Sequence, residues 1–188
     1  EAALYGVPLV YAPDNWPATE HRYLSDEQAD RLNPPDLDRS PVFAELMEQV
    51  DWIERENGAV EGFVNWQGVL NNAFRLRGEK IFADMALEPQ RALHVFECVA
   101  ATMEQGVRRL YARQRARGVA YEHFTVSNCL VNMVSPAAYE NLLLGFDVCF
   151  AHRYGLIGVH NCAWDATPYL GAYSRIPNAG YIDMGLES

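Results

Sequence analysis

The sequence predicts an α/β fold in which parallel strands are joined by helical crossovers. Three observations predict it. From residue 60 onward, short strand-like apolar runs alternate with helical ones in the order strand, helix, strand, helix, strand. The helical runs place apolar residues three and four apart, the period of a helix with one buried face. Cap and stop residues stand at the boundaries between them. Parallel strands require such crossovers, and helices then cover the faces of the sheet. An open doubly wound sheet and a closed barrel both satisfy the pattern, and periodicity does not choose between them. With 49% hydrophobic and 21% charged residues, the 188-residue chain reads as one globular domain, 1–188, able to bury a core.

Taken in order, Tyr5 to Tyr11 reads as a short strand closed by Pro13-Asp14-Asn15. Ser25 with Gln28 forms a capping-box pattern opening a short helix, which Asn33-Pro34-Pro35 stops. Pro41 opens a second helix with Phe43, Leu46, Met47, Val50 and Ile53 on one stripe, ended by Asn57-Gly58. A strand over Val60 to Trp66 runs into Asn65, Trp66, Gln67 and Gly68, and Val69 to Arg77 is helical or turn-like. Pro89 starts the longest helix, with Leu93, Phe96, Ala100, Met103, Val107 and Leu110 as its buried stripe and Gly118 as its terminator. Val119 to Thr125 is a strand, followed by a polar loop. Ser135-Pro136 then pairs an N-cap with proline at the first helical position. That helix buries Tyr139, Leu142, Leu143, Phe146 and Phe150 and ends at Gly155. Leu156 to His160 is a strand, Ala166 to Tyr173 a short helix, and Tyr181 to Gly185 the last strand. A complete barrel takes about 250 residues, so a barrel reading expects further chain, from a missing segment or a second chain, beside Tyr181–Gly185.

A net charge of −10 argues against nucleic acid or an anionic membrane surface as the main partner. Arg108, Arg109, Arg113, Arg115 and Arg117 lie close together in sequence and read first as a solvated helix face. No apolar run reaches the roughly 18 residues of a membrane span. The first residues lack the pattern of a secretory signal, and with no initiator Met, upstream sequence is expected. Cys98, Cys129, Cys149 and Cys162 form neither a CxxC pair nor a dense framework, which favours reduced thiols and a cytoplasmic location.

The sharpest chemical signal is His160-Asn161-Cys162 at a strand end. Side chains two apart on an extended strand point the same way, and imidazole with thiolate suits Zn²⁺. Carboxyl ends of parallel strands are where such folds place their sites. The same tripeptide also describes a core histidine beside a buried thiol. A catalytic zinc needs a third protein ligand; Cys129, also following a strand, could approach, or the ligand lies beyond Ser188. Cys98 and Cys149 fall within helices and read as packing residues. Tyr121, His123 and Thr125 share one strand face, with Glu122 on the other. His123 could bind a carboxylate or move a proton, and Glu122 could act as acid or base if it faced inward. Asn65 and Gln67 with Trp66 suit a polar organic ligand, or equally cap the next helix. No nucleotide loop or zincin motif is present.

Four stretches carry a resemblance: Glu61-Gly-Phe-Val-Asn-Trp-Gln-Gly68, Arg117-Gly-Val-Ala120, Val134-Ser-Pro-Ala-Ala-Tyr-Glu140 and Leu156-Ile-Gly-Val-His-Asn-Cys162. With them the chain resembles the uroporphyrinogen decarboxylase superfamily, which includes cobamide-dependent methyltransferases, over nearly its whole length. The resemblance implies an incomplete TIM-type (β/α)8 barrel with its site at the strand ends. In the methyltransferase branch a His-x-Cys and a distant cysteine nearer the C-terminus bind zinc; His160 and Cys162 match the pair, and the distant cysteine has no counterpart. The decarboxylase branch instead holds a tetrapyrrole with an N-terminal arginine segment, which would precede Glu1, and an aspartate. Related proteins carry an acidic residue near the end of the strand at Phe124–Asn128, where this chain has none. The resemblance implies a zinc-dependent methyltransferase moving a methyl group between a corrinoid, supplied by a partner protein, and a small-molecule thiol or related acceptor. Asn65, Gln67 and His123 would then position substrate polar groups. The alternatives are a tetrapyrrole carboxy-lyase and a non-catalytic barrel subunit or fragment.

Overall fold

A computed structural model describes residues 1–62, 65–120, 123–162 and 165–184. Ala2–Tyr5 forms a 3-10 turn ending at Gly6, whose φ of 82° lies in the left-handed region. Strand β1 (Leu9–Ala12) then pairs antiparallel with β2 (Asn15–Thr19). The expected strand over Tyr5 to Tyr11 is therefore split: the reversal at Gly6 ends the first half, and only the second half pairs, in a small separate sheet.

The capping box forms as expected. Ser25 Oγ accepts from the Gln28 N–H at 3.2 Å and Gln28 Oε1 accepts from the Ser25 N–H at 2.8 Å, opening α1 (Asp26–Asp30). Ser40 caps α2 (Pro41–Asn57), which ends at Gly58 with φ 85°. Strand β3 (Asn65–Gln67) is followed by α3 (Val69–Arg77), α4 (Lys80–Leu87) and the 27-residue α5 (Pro89–Arg115). The expected strand start at Val60 is not extended pairing backbone, and Phe63 and Val64 lie outside the described residues. Then come β4 (His123–Ser127), a 3-10 turn over Cys129–Met133, α6 (Pro136–Leu142), α7 (Leu144–Tyr154) and β5 (Leu156–Asn161). A 3-10 turn, α8 (Leu170–Tyr173) and β6 (Ala179–Met184) complete the described chain.

One helix was expected where α6 and α7 stand. It breaks at Leu143, with φ −124°. Eight residues of unbroken helix would separate their Cα atoms by about 12 Å; across the break the Tyr139 hydroxyl donates to Asp147 Oδ2 at 2.6 Å, with both residues buried.

Strands β3, β4, β5 and β6 form one sheet in that order, and they run parallel, as the strand–helix alternation predicts. Neither edge pairs with another described strand. Its register sorts side chains by face, because aligned residues of parallel neighbours point the same way. Trp66, Val126, Val159 and Ile182 align across one face. Trp66, Phe124, Val126, Ile157 and Val159 are buried in the same core as Val95, Phe96, Val99, Met103 and Val107 of α5. Gly106 of α5 makes room for Trp66: a Cβ there would stand 2.5 Å from the indole. Phe124 stacks on Phe150 of α7, ring centres 4.6 Å apart.

Candidate metal centre

The opposite sheet face is polar. Asn65, Thr125, Gly158 and Tyr181 align in one row, and Gln67, Ser127, His160 and Asp183 in the next, at the carboxyl end. Gly158 is required there, since a Cβ would lie 2.3 Å from the Tyr181 ring that crosses it.

Just past that last row, three donor groups converge. One ligand atom each from Cys129, His160 and Cys162 lies within 4.8 Å of the others. Cys129 Sγ and Cys162 Sγ are 3.2 Å apart, both as free thiols. The strand register builds this meeting. Ser127 aligns with His160, and the Asn128 N–H donates to the His160 carbonyl at 2.7 Å, carrying the ladder one bond further. Two residues beyond the last aligned pair on each strand a cysteine follows.

His160 Nδ1 lies 2.6 Å from Asp183 Oδ2 on β6. That carboxylate engages one ring nitrogen and leaves Nε2 for the cluster, the arrangement in which an acid behind a metal-binding imidazole fixes the ring's orientation. Burial works against the charged imidazole, but hydrogen bonds to Asp183 and Cys162 prevail and raise the His160 pKa. The Cys162 pKa falls below its ordinary value, first through its hydrogen bond with Cys129 and then through His160. Burial pushes the Cys129 thiol up. Cys162 is exposed, Cys129 and His160 half-buried, so the cluster opens toward solvent on the Cys162 side.

A buried polar network holds the loop that carries Cys129. Asn128 Nδ2 donates to Asp147 Oδ2 at 2.8 Å, the same oxygen that accepts from Tyr139. Asn132 Nδ2 donates to Asn161 Oδ1 at 2.5 Å, and Asn161 Nδ2 to the Tyr173 hydroxyl at 2.8 Å. Asn71 Oδ1 accepts from the Leu130 N–H at 3.1 Å. The strand end before Cys162 and the turn after Cys129 are thus fixed to each other and to α3, α7 and α8.

Of the residues singled out in the sequence, Gln67 lies in the row of His160, and its Oε1 accepts from Asn71 Nδ2 at 3.0 Å. Asn65 lies one row deeper and its Oδ1 accepts from Ser127 Oγ at 3.3 Å. Both are exposed. His123 is on the same face but aligns with Leu156, the first residue of β5. Four residues of strand, about 13 Å, separate it from the row of His160, and its carbonyl accepts from the Tyr111 hydroxyl at 2.7 Å. Tyr121 and Glu122 lie outside the described residues. Cys98, on α5, is buried and packs against the Leu32 carbonyl at 3.4 Å, in keeping with a packing role. Two residues of the cluster surroundings were not singled out from sequence: Asp183 and Asp147.

Two thiols and an imidazole match the soft and borderline donors that Zn²⁺ selects, so the residues present fit a metal of that kind. No described helix is long and apolar enough to cross a membrane.

No protein-family model matches the chain, and no curated protein matches it in sequence. Among solved structures it is similar to a methyltransferase from Methanosarcina mazei, with a TM-score of 0.67 at 14% identity. The match covers 96% of this chain and 53% of that one, so the chain spans about half the length of this relative. At such identity the likeness is one of fold.

Proposed function

We propose that this chain is part of a (β/α)8 barrel, and that Cys129, His160 and Cys162 hold zinc in a methyltransferase that moves a methyl group between a corrinoid and a thiol acceptor. The observation that carries the reading is the convergence of those three donors at the carboxyl ends of parallel strands, where barrel enzymes keep their sites. The fold likeness to a methyltransferase supports it. The remaining strands would come from elsewhere in the parent polypeptide or from a second chain, and the corrinoid from a partner protein docking over the strand ends.

When bound, the metal supplies a Lewis acid that keeps an acceptor sulfur as a nucleophilic thiolate at neutral pH. The chain's own residues do the rest. Asp183 orients His160. The Asn128–Asp147–Tyr139 network sets the position of the Cys129 turn. The exposed amides of Asn65 and Gln67, one and zero rows from His160, would hydrogen-bond polar groups of the acceptor. His123, at the far end of that face, takes no part in the proposed chemistry. A tetrapyrrole decarboxylase would need cations to pair with several carboxylates, and no described strand residue of this face is Arg or Lys.

The test is zinc stoichiometry and competition with a chromophoric chelator, paired with demethylation of methylcobalamin by the complete enzyme. Cys162→Ala, His160→Ala and Cys129→Ala should each weaken zinc at least 100-fold, and Cys162→Ala should abolish methyl transfer. Cys98→Ala and Cys149→Ala should bind zinc normally. Normal zinc affinity in Cys162→Ala would reject the metal assignment. Tight zinc without methylcobalamin turnover in the complete enzyme would reject the methyltransferase.

A further inference from the structure

The Cys129–Cys162 pair has a second chemistry, independent of any metal. The two sulfurs are 3.2 Å apart and belong to free thiols, one of them exposed. Their alignment follows from the sheet. Every aligned pair of β4 and β5 is 33 residues apart, and so are the two cysteines. Neighbouring strands run about 4.8 Å apart, and disulfide-bridged Cα atoms usually stand about 4.4–6.8 Å apart. The strands thus bring Ser127 and His160, two residues before the cysteines, to about that spacing. The 3.2 Å between the sulfurs shows that the segments beyond them keep the pair close, braced by the Asn128–His160 ladder bond and the Asn132–Asn161 contact. The other two cysteines are placed differently: Cys98 is buried within α5 and Cys149 lies on α7.

From this geometry we propose that Cys129 and Cys162 form an intrachain disulfide when the metal-free protein meets a peroxide. The Cys162 thiolate, the more accessible sulfur, attacks one peroxide oxygen; the O–O bond breaks and a sulfenic acid forms as water leaves. The Cys129 thiolate then attacks that sulfur, the S–O bond breaks and a second water leaves. Two thiols and one hydrogen peroxide thus become one disulfide and two waters, with the peroxide reduced by two electrons. The bridge takes both sulfurs out of use as thiolate donors, so oxidation and metal loading exclude each other at one site. A reductant of the dithiol class restores the pair.

The experiment treats the reduced, metal-free full chain with one equivalent of hydrogen peroxide, followed by thiol counting and peptide mapping without reduction. Two free thiols per molecule should be lost, with one linked peptide pair carrying Cys129 and Cys162 and with Cys98 and Cys149 unchanged. In Cys129→Ser the link should vanish and a sulfenic acid at Cys162 should become trappable by dimedone. Recovery of Cys162 as sulfinic acid beside a free Cys129 in the unaltered chain would overturn the proposal, as would links from Cys162 to Cys149 as abundant as those to Cys129. The unaltered chain decides the matter even if the serine variant folds poorly. Preloading with zinc separates the two readings: slower linking in the zinc-treated chain supports both. Linking at an unchanged rate keeps the disulfide and removes these thiols from the metal assignment.

Discussion

Around Arg77 the chain assembles opposite charges; around Cys162 it assembles like donors. The Arg77 guanidinium is almost wholly buried. It donates to Asp84 Oδ2 at 2.7 Å, to Asp26 Oδ1 at 2.5 Å and to the Leu24 carbonyl at 2.6 Å. Arg91 extends the lattice to Asp30 at 2.6 Å, so α1, α3, α4 and α5 are tied together. Each donor there meets an acceptor, and a group that is answered this completely has nothing left to offer a ligand. The Cys129–His160–Cys162 cluster crowds three groups that bind the same kind of partner, at an end of the sheet open to solvent. Both clusters rest on long-range contacts, but only the second keeps unused binding capacity.

Removing one partner from the first cluster gives the largest effect on stability. Arg77→Ala leaves the buried Asp84 carboxylate with only the longer Arg91 contact at 3.5 Å and leaves the Leu24 carbonyl without its guanidinium donor. It should cost about 3–5 kcal/mol in denaturant unfolding, while zinc uptake per folded molecule stays normal. A loss below about 1 kcal/mol would break the contrast.

Asp147 stands between the two regimes, a buried acid whose two neighbours both donate to it. Burial raises its pKa to about 6, against the lowering effect of the Tyr139 and Asn128 hydrogen bonds. An unfolded aspartate titrates near 3.9. Between those values the folded chain keeps a proton that the unfolded chain releases. This contribution to stability is therefore fully present below about 3.9 and is lost as pH rises through about 6, by about 3 kcal/mol at most. Both hydrogen bonds end on Oδ2, so the amide oxygen of Asp147→Asn can accept them. The stability of the unaltered chain relative to this variant should fall between pH 4 and 6; a flat difference would place the acid in ordinary solvation.

The smallest effect sharpens the second cluster. Asp183 is well exposed while it holds His160. Asp183→Asn should weaken zinc by about tenfold and leave unfolding free energy nearly unchanged. Equal zinc affinity in the two proteins would make that hydrogen bond incidental.

Local signals were legible in the sequence, and pairings between distant residues were less so. Ser25 with Gln28, Pro41 and Ser135-Pro136 open helices within four residues of themselves, so they could be read without a partner. The parallel direction of four strands followed from their alternation with helices, whereas their sequential order did not. The β1–β2 hairpin was missed because its strands are almost wholly exposed, leaving no buried alternation to read. His160 and Cys162 declared themselves by spacing on one strand. Cys129 was noticed only as a residue after a strand, because choosing it needs the alignment of β4 with β5. Asp183 needed the alignment of β6 as well. Once the alignment of β4 with β5 is known, Thr125 and Ser127 precede Gly158 and His160 by the constant interval that also separates Cys129 from Cys162.

That constant interval makes the cluster a matter of chain length as much as of chemistry. The two strands act as rulers laid side by side, with the sulfurs at the same mark. Exchanging a side chain nearby leaves the marks aligned. Dropping or adding one residue between Ser127 and Cys129 puts that cysteine out of step with Cys162, because the last strand pair before them, Ser127 and His160, stays aligned. Lineages that keep the site should therefore vary freely in the surface helices yet hold these two short segments to matched lengths, changing both together or neither.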